Sequence, residues 1–312
     1  MRPFWKSYFS DDKALLAYHY TDYHHAKKLA DEWNAQLLHD AEKTGGQDHA
    51  DILAVTARQV MGGTDFTGTP DNPLLFIKEI SSDGNCQTID VIFPAFPFFV
   101  YANPRWLAYM LEPLLEHMLS GQYPNKYAMH DLGFHYPNLT GHPLGLDEYM
   151  PVEESGDMLI MGLSLVHSLI EGAATKVNRL GETFVNIFPD SADSDVSPFA
   201  LHLDTSNPEG IHGLDTPWVD AQKSLGAGKS WLKKSYKLWK QWTEYLVDYA
   251  LEPENQLSTD DFAGWLPLQT NLALKGIVGI KAMSELSAVM GEDHDMKYYK
   301  VGRDLEQDYD PS

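Results

Sequence analysis

The stretch LPLQTNLALKGIVGIKAMSELSAVMG, Leu266 to Gly291, repeats its apolar residues with a period near 3.6 and carries Ala273, Gly276 and Gly279 among them. A glycine inside a helix costs about 1 kcal/mol relative to alanine. Two of them in one apolar helix predict a second helix packed close against it. The same periodicity recurs outward along the chain, predicting helices at about 13–42, 48–62, 104–119, 156–175, 229–250 and 267–290. The fifth of these has Leu238, Trp242, Tyr245, Leu246 and Tyr249 on one face and lysines on the other. Strand signals are few, LLFIKEI (74–80) and TIDVIF (88–93). The fold class expected is all-α. Long loops at 81–103 and 120–155 are rich in His, Tyr, Phe, Asp and Asn, and ordered loops of that length are usually functional. Residues 176–228 lack periodicity and are rich in turn residues, so an irregular insertion is expected there within a single domain spanning 1–312.

Composition removes several function classes. In 312 residues, 23 Lys and Arg stand against 45 Asp and Glu, a formal charge of −22, which repels phosphate backbones and argues against nucleic acid as partner. No window approaches the roughly 18 uncharged apolar residues of a membrane span, so no membrane partner is expected. The start, MRPFWKSYFSDD, has no apolar h-region, so no signal peptide is expected and the location of the chain as given is read as cytoplasmic or unknown. The single cysteine, Cys86, excludes an internal disulfide framework and an all-cysteine zinc site.

Short motifs are weak. LGAGKS (225–230) has Lys223 where a phosphate-binding loop needs its first glycine, and no strand precedes it. Ser230-Trp231-Leu232-Lys233 fits the SxxK pattern of some serine acyl-transfer enzymes, without its partner motifs. Cys86 could be a nucleophile, but a lone cysteine is more often a small buried hydrophobe. In HDLGFHYPNLTGH, His130, Asp131, His135 and His142 have the chemistry of metal ligands, yet a loop implies no shared geometry, and substrate contact or structural hydrogen bonding is the preferred reading. Asn138-Leu139-Thr140 matches the glycosylation acceptor pattern.

The acidic positions are more informative. DEYMPVEESGDMLIM (147–161) sets Glu153 and Glu154 at the mouth of an apolar helix, where carboxylates can complement the helix dipole or line a site. Glu79, Asp83, Asp90, Asp131, Asp147, Glu148, Asp260 and Asp261 likewise sit among apolar or aromatic residues at expected helix and loop junctions. Carboxylates so placed suit hydrolysis, one ionised to activate water and one held protonated as acid.

Three long blocks, KEISSDGNCQTIDVIFPAFPFFVYANP (78–104), GQYPNKYAMHDLGFHYPNLTGHPLGLDEYMPVEESGDMLIM (121–161) and LEPENQLSTDDFAGWLPLQTNLALKGIVGIKAM (251–283), together with RQVMGG (58–63), resemble the fungal glutaminase A family. The resemblance implies an (α/α)6 toroid of the six-hairpin glycosidase type, with loops at one mouth, and hydrolysis of L-glutamine to glutamate and ammonia. Family members are extracellular, begin with a secretion signal and a β-rich domain, and continue past Ser312. The chain is therefore expected to hold about half the helices of a closed ring, to self-associate, and to be weakly active or inactive alone. The candidate catalytic residues are Glu153, Glu154, Asp260, Asp261 and Asp131. The candidate substrate-binding residues are Lys78, Glu79, Asp83, Asp90, His130, Tyr136, His142, Glu148, Thr270 and Asn271, with a small-molecule substrate, no metal and no cofactor expected. Ser155 and Asp157 stand where the family commonly has cysteine and asparagine, and Cys86 where it has an aliphatic residue. The alternatives are a glycoside hydrolase, with Phe96, Phe98, Tyr101 and Trp106 stacking on sugar rings, and a non-catalytic binding remnant.

Overall fold

The Asp11 carboxylate accepts the Ala14 backbone N–H at 2.9 Å and so caps the first helix, α1 (Asp12–Gly62). The computed structural model describes residues 1–79, 84–180, 196–201 and 221–300. The helices expected at 13–42 and 48–62 are the two arms of α1, which breaks at Gly46 (φ 78°, ψ −171°), backbone that favours glycine. An antiparallel hairpin follows, β1 (Thr64–Thr69) and β2 (Asn72–Ile77), with Thr69 opposite Asn72. At Gly68 (φ 81°) a Cβ would lie 2.3 Å from the Asn72 carbonyl oxygen, so the turn excludes a side chain there. The expected strand at 74–80 corresponds to β2. Its partner β1 has the polar, glycine-containing sequence TDFTGT and gives no strand signal of its own.

The second expected strand, 88–93, is wrong: Ile89 opens α2 (Ile89–Ala102). Ile89, Ile92, Ala95 and Phe99 are its buried residues, at spacings that suit a helix, and α2 packs on α3 (Pro104–Leu119) and on α4 (Pro151–Leu180). Burial of that stripe overrides the local β preference of isoleucine and valine. Much of the loop expected at 81–103 is thus helix. Asn103 separates α2 from α3, its side chain accepting the Arg105 N–H at 3.2 Å, and Pro104 occupies the first helical position. The second expected loop does persist, from Ser120 to Met150, without helix or strand.

Beyond α4 come α5 (Ala221–Tyr249), α6 (Thr270–Met290) and the short α7 (Asp293–Lys300), which no sequence signal marked. The irregular stretch expected at 176–228 is a correction at both edges, since α4 runs to Leu180 and α5 begins at Ala221. Within it, residues 196–201 are packed: Phe199 is buried, its carbonyl accepts the Tyr109 hydroxyl at 2.9 Å, and Leu201 N–H donates to Pro70 O at 2.7 Å.

Helices α4, α5 and α6 pack on one another, as the small residues of α6 predict. A Cβ on Gly276 would come 2.3 Å from that of Ala250, and one on Gly279 would come 3.2 Å from Gly156 Cα in α4. Trp231, Trp239 and Trp242 of α5 are fully buried, with ring centroids 5.5 and 5.1 Å apart in succession. Leu238, Trp242 and Leu246 face this core as expected, whereas Tyr249, expected on the same face, is 45% exposed. Among the described residues the fold is all-α with one small hairpin, and no helix there is long and apolar enough to cross a membrane.

Candidate functional site

Pro151 opens α4, earlier than the expected start at 156, and this puts Glu153 and Glu154 in its first turn. The Val152 N–H donates to the side chain of Gln256, a buried residue from the loop before α6, at 3.1 Å. A helix N-terminus favours a carboxylate by up to about 2 kcal/mol. Both carboxylates are nonetheless buried, at 2% and 0% exposure, and removing an ion from water costs several kcal/mol. For Glu154 desolvation wins. Its two oxygens have no hydrogen-bond partner, and burial, then the charges of Asp90, Asp157 and Glu153, push its pKa well above the carboxylate range.

Glu153, in contrast, is paired. The Lys275 ammonium from α6 contacts its carboxylate directly, Thr259 Oγ1 donates to it at 3.1 Å, and the same ammonium lies 2.9 Å from Asp157 Oδ1 one turn along α4. Burial opposes the charge on Lys275, but Asp157 and Glu153 outweigh it and raise its pKa. Lys275 also sits 4.6 Å above the Phe93 ring of α2. Gly156 leaves the space for it, since a Cβ there would come 2.7 Å from Lys275 Cγ.

Next to this ion cluster, on the 120–150 segment, is His130, 3% exposed. Asp147 fixes its backbone by accepting its N–H at 2.9 Å, and Asp131 fixes its ring by accepting at Nδ1 at 2.7 Å. Asp131 also accepts from His142 Nε2 at 2.9 Å and from the Gly133 N–H. Nε2 faces the other way, with Asp90 Oδ1 at 3.7 Å, Glu154 Oε1 at 3.7 Å and Glu148 Oε2 at 3.8 Å. Burial would lower the imidazole pKa. Asp131, Asp90 and Glu148 overcome it and lift the value to about 9, so the ring is cationic at neutral pH. Asp131 is driven in the opposite direction, below the carboxylate range, by its two histidines against its own burial. Asp90, in the first turn of α2, is raised by burial despite His130. Its side chain is 11% exposed, between the fully buried Glu154 and Glu148 at 36%.

The structure therefore brings together Asp90, His130, Asp131, His142, Glu148, Glu153 and Glu154 of the expected residues. Glu79 lies at their edge, accepting from Thr88 Oγ1 at 3.0 Å. Lys78 turns instead to the hairpin, 2.6 Å from Asp65 and 5.1 Å above the Tyr136 ring, which packs on Phe76. Asp260 and Asp261 are exposed on the turn before α6, although the charge of Asp261 is felt at Asp90. Thr270 and Asn271 are exposed in the first turn of α6. Asp83 lies outside the described residues. Sequence reasoning missed Lys275 and gave Asp157 no role. The signal was a lysine set between Ala273 and Gly276 of an apolar helix.

The weaker motifs fall away. LGAGKS and SWLK both lie inside α5, so neither forms a loop. Cys86 is 1% exposed and burial pushes its thiol up, away from the thiolate. Phe98 packs on Trp33 and Phe99, Trp106 on Phe66, and Phe96 on Phe93, while the Tyr101 hydroxyl donates to Asp40. These rings hold the fold together rather than lining the carboxylate cluster. Tyr149, next to Glu148 in the chain, stacks on the half-exposed Trp265 at 5.7 Å and 8°.

Comparison with known proteins points the same way. The family model described as the Glutaminase A six helical-hairpin domain matches residues 46–180 and 219–309. A protein named "Probable glutaminase" from Arthroderma benhamiae is 57% identical over 305 residues, covering 96% of this chain and 35% of that protein. "Glutaminase A" of Aspergillus oryzae is 40% identical over 295 residues, covering 95% of this chain and 34% of its own length. The chain spans about a third of the length of these curated relatives. No solved structure matches.

Proposed function

The chain belongs to the glutaminase A six helical-hairpin family, and from that premise we propose that it hydrolyses the side-chain amide of L-glutamine to L-glutamate and ammonia by carboxylate-assisted attack of water. The observation that carries this reading is the grouping of Asp90, His130 and Glu154, whose polar atoms lie within 4.8 Å of one another. One of the three is partly open, one is a cation and one is a neutral buried acid.

Asp90, the open member, suits the base. It takes a proton from water as the water oxygen bonds to the carboxamide carbon, and the carbonyl electron pair moves onto oxygen. His130 Nε2–H suits the acid. It protonates the departing nitrogen as the oxyanion pair re-forms the carbonyl, the C–N bond breaks and ammonia leaves, and the proton held by Asp90 then restores the imidazolium. Asp131 and His142 act through His130 by fixing its ring, and Glu154 keeps a neutral carboxyl behind it. Glu153, with Lys275, holds the wall of the site rather than meeting the substrate. Glu148 and the exposed Asp260 and Asp261 fit contact with the α-ammonium of glutamine.

Ammonia release from L-glutamine, measured beside L-asparagine and aryl-glycosides, tests the proposal. The aryl-glycoside arm is included because the Trp265–Tyr149 stack offers a platform for a sugar ring. Glutamine turnover is expected, with Asp90→Asn lowering it at least about a hundredfold, the scale of general acid–base catalysis. Turnover of glycosides alone, or an Asp90→Asn protein as active as the parent, overturns it.

A further inference from the structure

We propose that Asp90, His130 and Glu154 form a binding site for a divalent transition-metal ion of the zinc type. Glu154 is a fully buried carboxyl with neither oxygen hydrogen-bonded, and Oε1 points toward His130 Nε2. Neither oxygen finds a donor in the packing of α4, and a buried polar atom without a partner costs about 1–3 kcal/mol. A cation between Oε1 and Nε2 supplies the missing partner.

The imidazole is held as a metal ligand needs to be. Its Nδ1 is engaged by the Asp131 carboxylate at 2.7 Å, which directs the other nitrogen, Nε2, at the cage. That carboxylate–histidine arrangement orients the ring and raises its basicity toward a metal. Asp131 is itself fixed by His142 and the Gly133 N–H. A tetrahedral ion with bonds of about 2.0–2.1 Å sets its ligand atoms roughly 3.3 Å apart. Nε2 stands 3.7, 3.7 and 3.8 Å from the oxygens of Asp90, Glu154 and Glu148. Bringing each edge to Nε2 to that length takes a shift of roughly 0.4 Å, and the ligand atoms of Asp90, His130 and Glu154 lie within 4.8 Å of one another. One imidazole with carboxylates, and no thiolate, selects zinc or manganese over copper(I) or an iron–sulfur cluster.

The inference does not require the glutamine reading, because it concerns affinity rather than turnover. An ion and the Nε2 proton exclude each other, so the two describe alternative states of one cage. The test is titration of the metal-stripped chain with Zn2+ by calorimetry, with Co2+ in parallel for its visible d–d absorption. One ion per chain is expected, with a dissociation constant of micromolar or tighter, and a tetrahedral or five-coordinate Co2+ spectrum. Glu154→Gln and Asp90→Asn should each weaken binding at least tenfold, the lower bound for loss of a metal partner. Circular dichroism of both variants establishes that they fold, and the more exposed Asp90 position serves if Glu154→Gln does not. Exposed His19, His24 and His25 on α1 are an obvious adventitious site. The triple change of these histidines to alanine should leave the cage affinity unchanged. No binding, or binding lost with the α1 histidines and kept in Asp90→Asn, overturns the proposal. Zinc binding without glutamine turnover leaves it standing while the functional reading fails, and turnover without zinc binding does the reverse.

Discussion

Two adjacent glutamates, Glu153 and Glu154, show how one turn of helix sets the same side chain in two different surroundings. Glu153 meets the Lys275 ammonium and Thr259, whereas Glu154 meets no donor and is driven to its neutral form. Lys275 serves two buried acids at once, so Lys275→Met leaves Glu153 and Asp157 without their cation. That change is expected to destabilise the chain by about 3–5 kcal/mol, the scale for stripping one partner from a buried ion pair. Chemical denaturation would measure it, and a loss below about 1 kcal/mol would show that the cluster contributes little. Much of the site was legible at this scale, because Asp90, His130, Asp131, His142, Glu148, Glu153 and Glu154 are all polar residues in otherwise apolar or aromatic surroundings. Lys275 was not. A lysine in a helix reads as a solvated position unless the depth of its neighbours is known, and here Gly156 on another helix makes the room.

Elements were legible where their pattern is self-sufficient. The helices that become α3 to α6 carry apolar stripes, and the glycines of α6 announce a close neighbour that proves to be α4 and the end of α5. Pattern fails where a partner decides. TIDVIF has strand composition but docks as a helix on α3 and α4, and β1 exists through pairing with β2. The polar α7 is a third case. It is tied to α5 by Asp295, whose carboxylate accepts from Lys240 at 3.0 Å and from Tyr236 at 3.0 Å, with the exposed His294 at 3.5 Å. Tyr236 in turn meets Ser287 of α6 at 3.0 Å. Burial opposes the charge of Asp295, but Lys240, Tyr236 and His294 prevail and hold its pKa below the ordinary carboxylate value. A depressed folded pKa means that this stabilisation is complete above the unfolded value, near pH 4, and is lost as pH falls through the folded one. Asp295→Asn should therefore cost about 1–3 kcal/mol at pH 7, a difference that shrinks below about pH 4. Urea denaturation of both proteins across that range checks it, and a gap independent of pH would exclude the carboxylate as its source.

At the scale of the molecule, apolar surface and net charge act against each other. Leu16, Tyr20 and Tyr23 are 65%, 84% and 54% exposed and, spaced by four and three residues, lie on one face of the first arm of α1. Ile52 and Val55, 63% and 54% exposed, make a second strip on the other arm. Such strips favour association, since apolar area removed from water stabilises a contact by about 25 cal/mol per Å2. A formal charge of −22 on every copy opposes it. Salt separates the two effects. It shortens the Debye length from about 10 Å at 0.1 M to about 3 Å at 1 M while leaving the apolar drive intact. Sedimentation velocity should therefore find a chain closest to monomeric at low salt that self-associates as salt rises, and the double change Leu16→Glu with Tyr20→Lys should remove the trend. A chain that stays monomeric at every salt concentration would mean that the exposed face of α1 is too narrow or too curved to pair with a copy of itself.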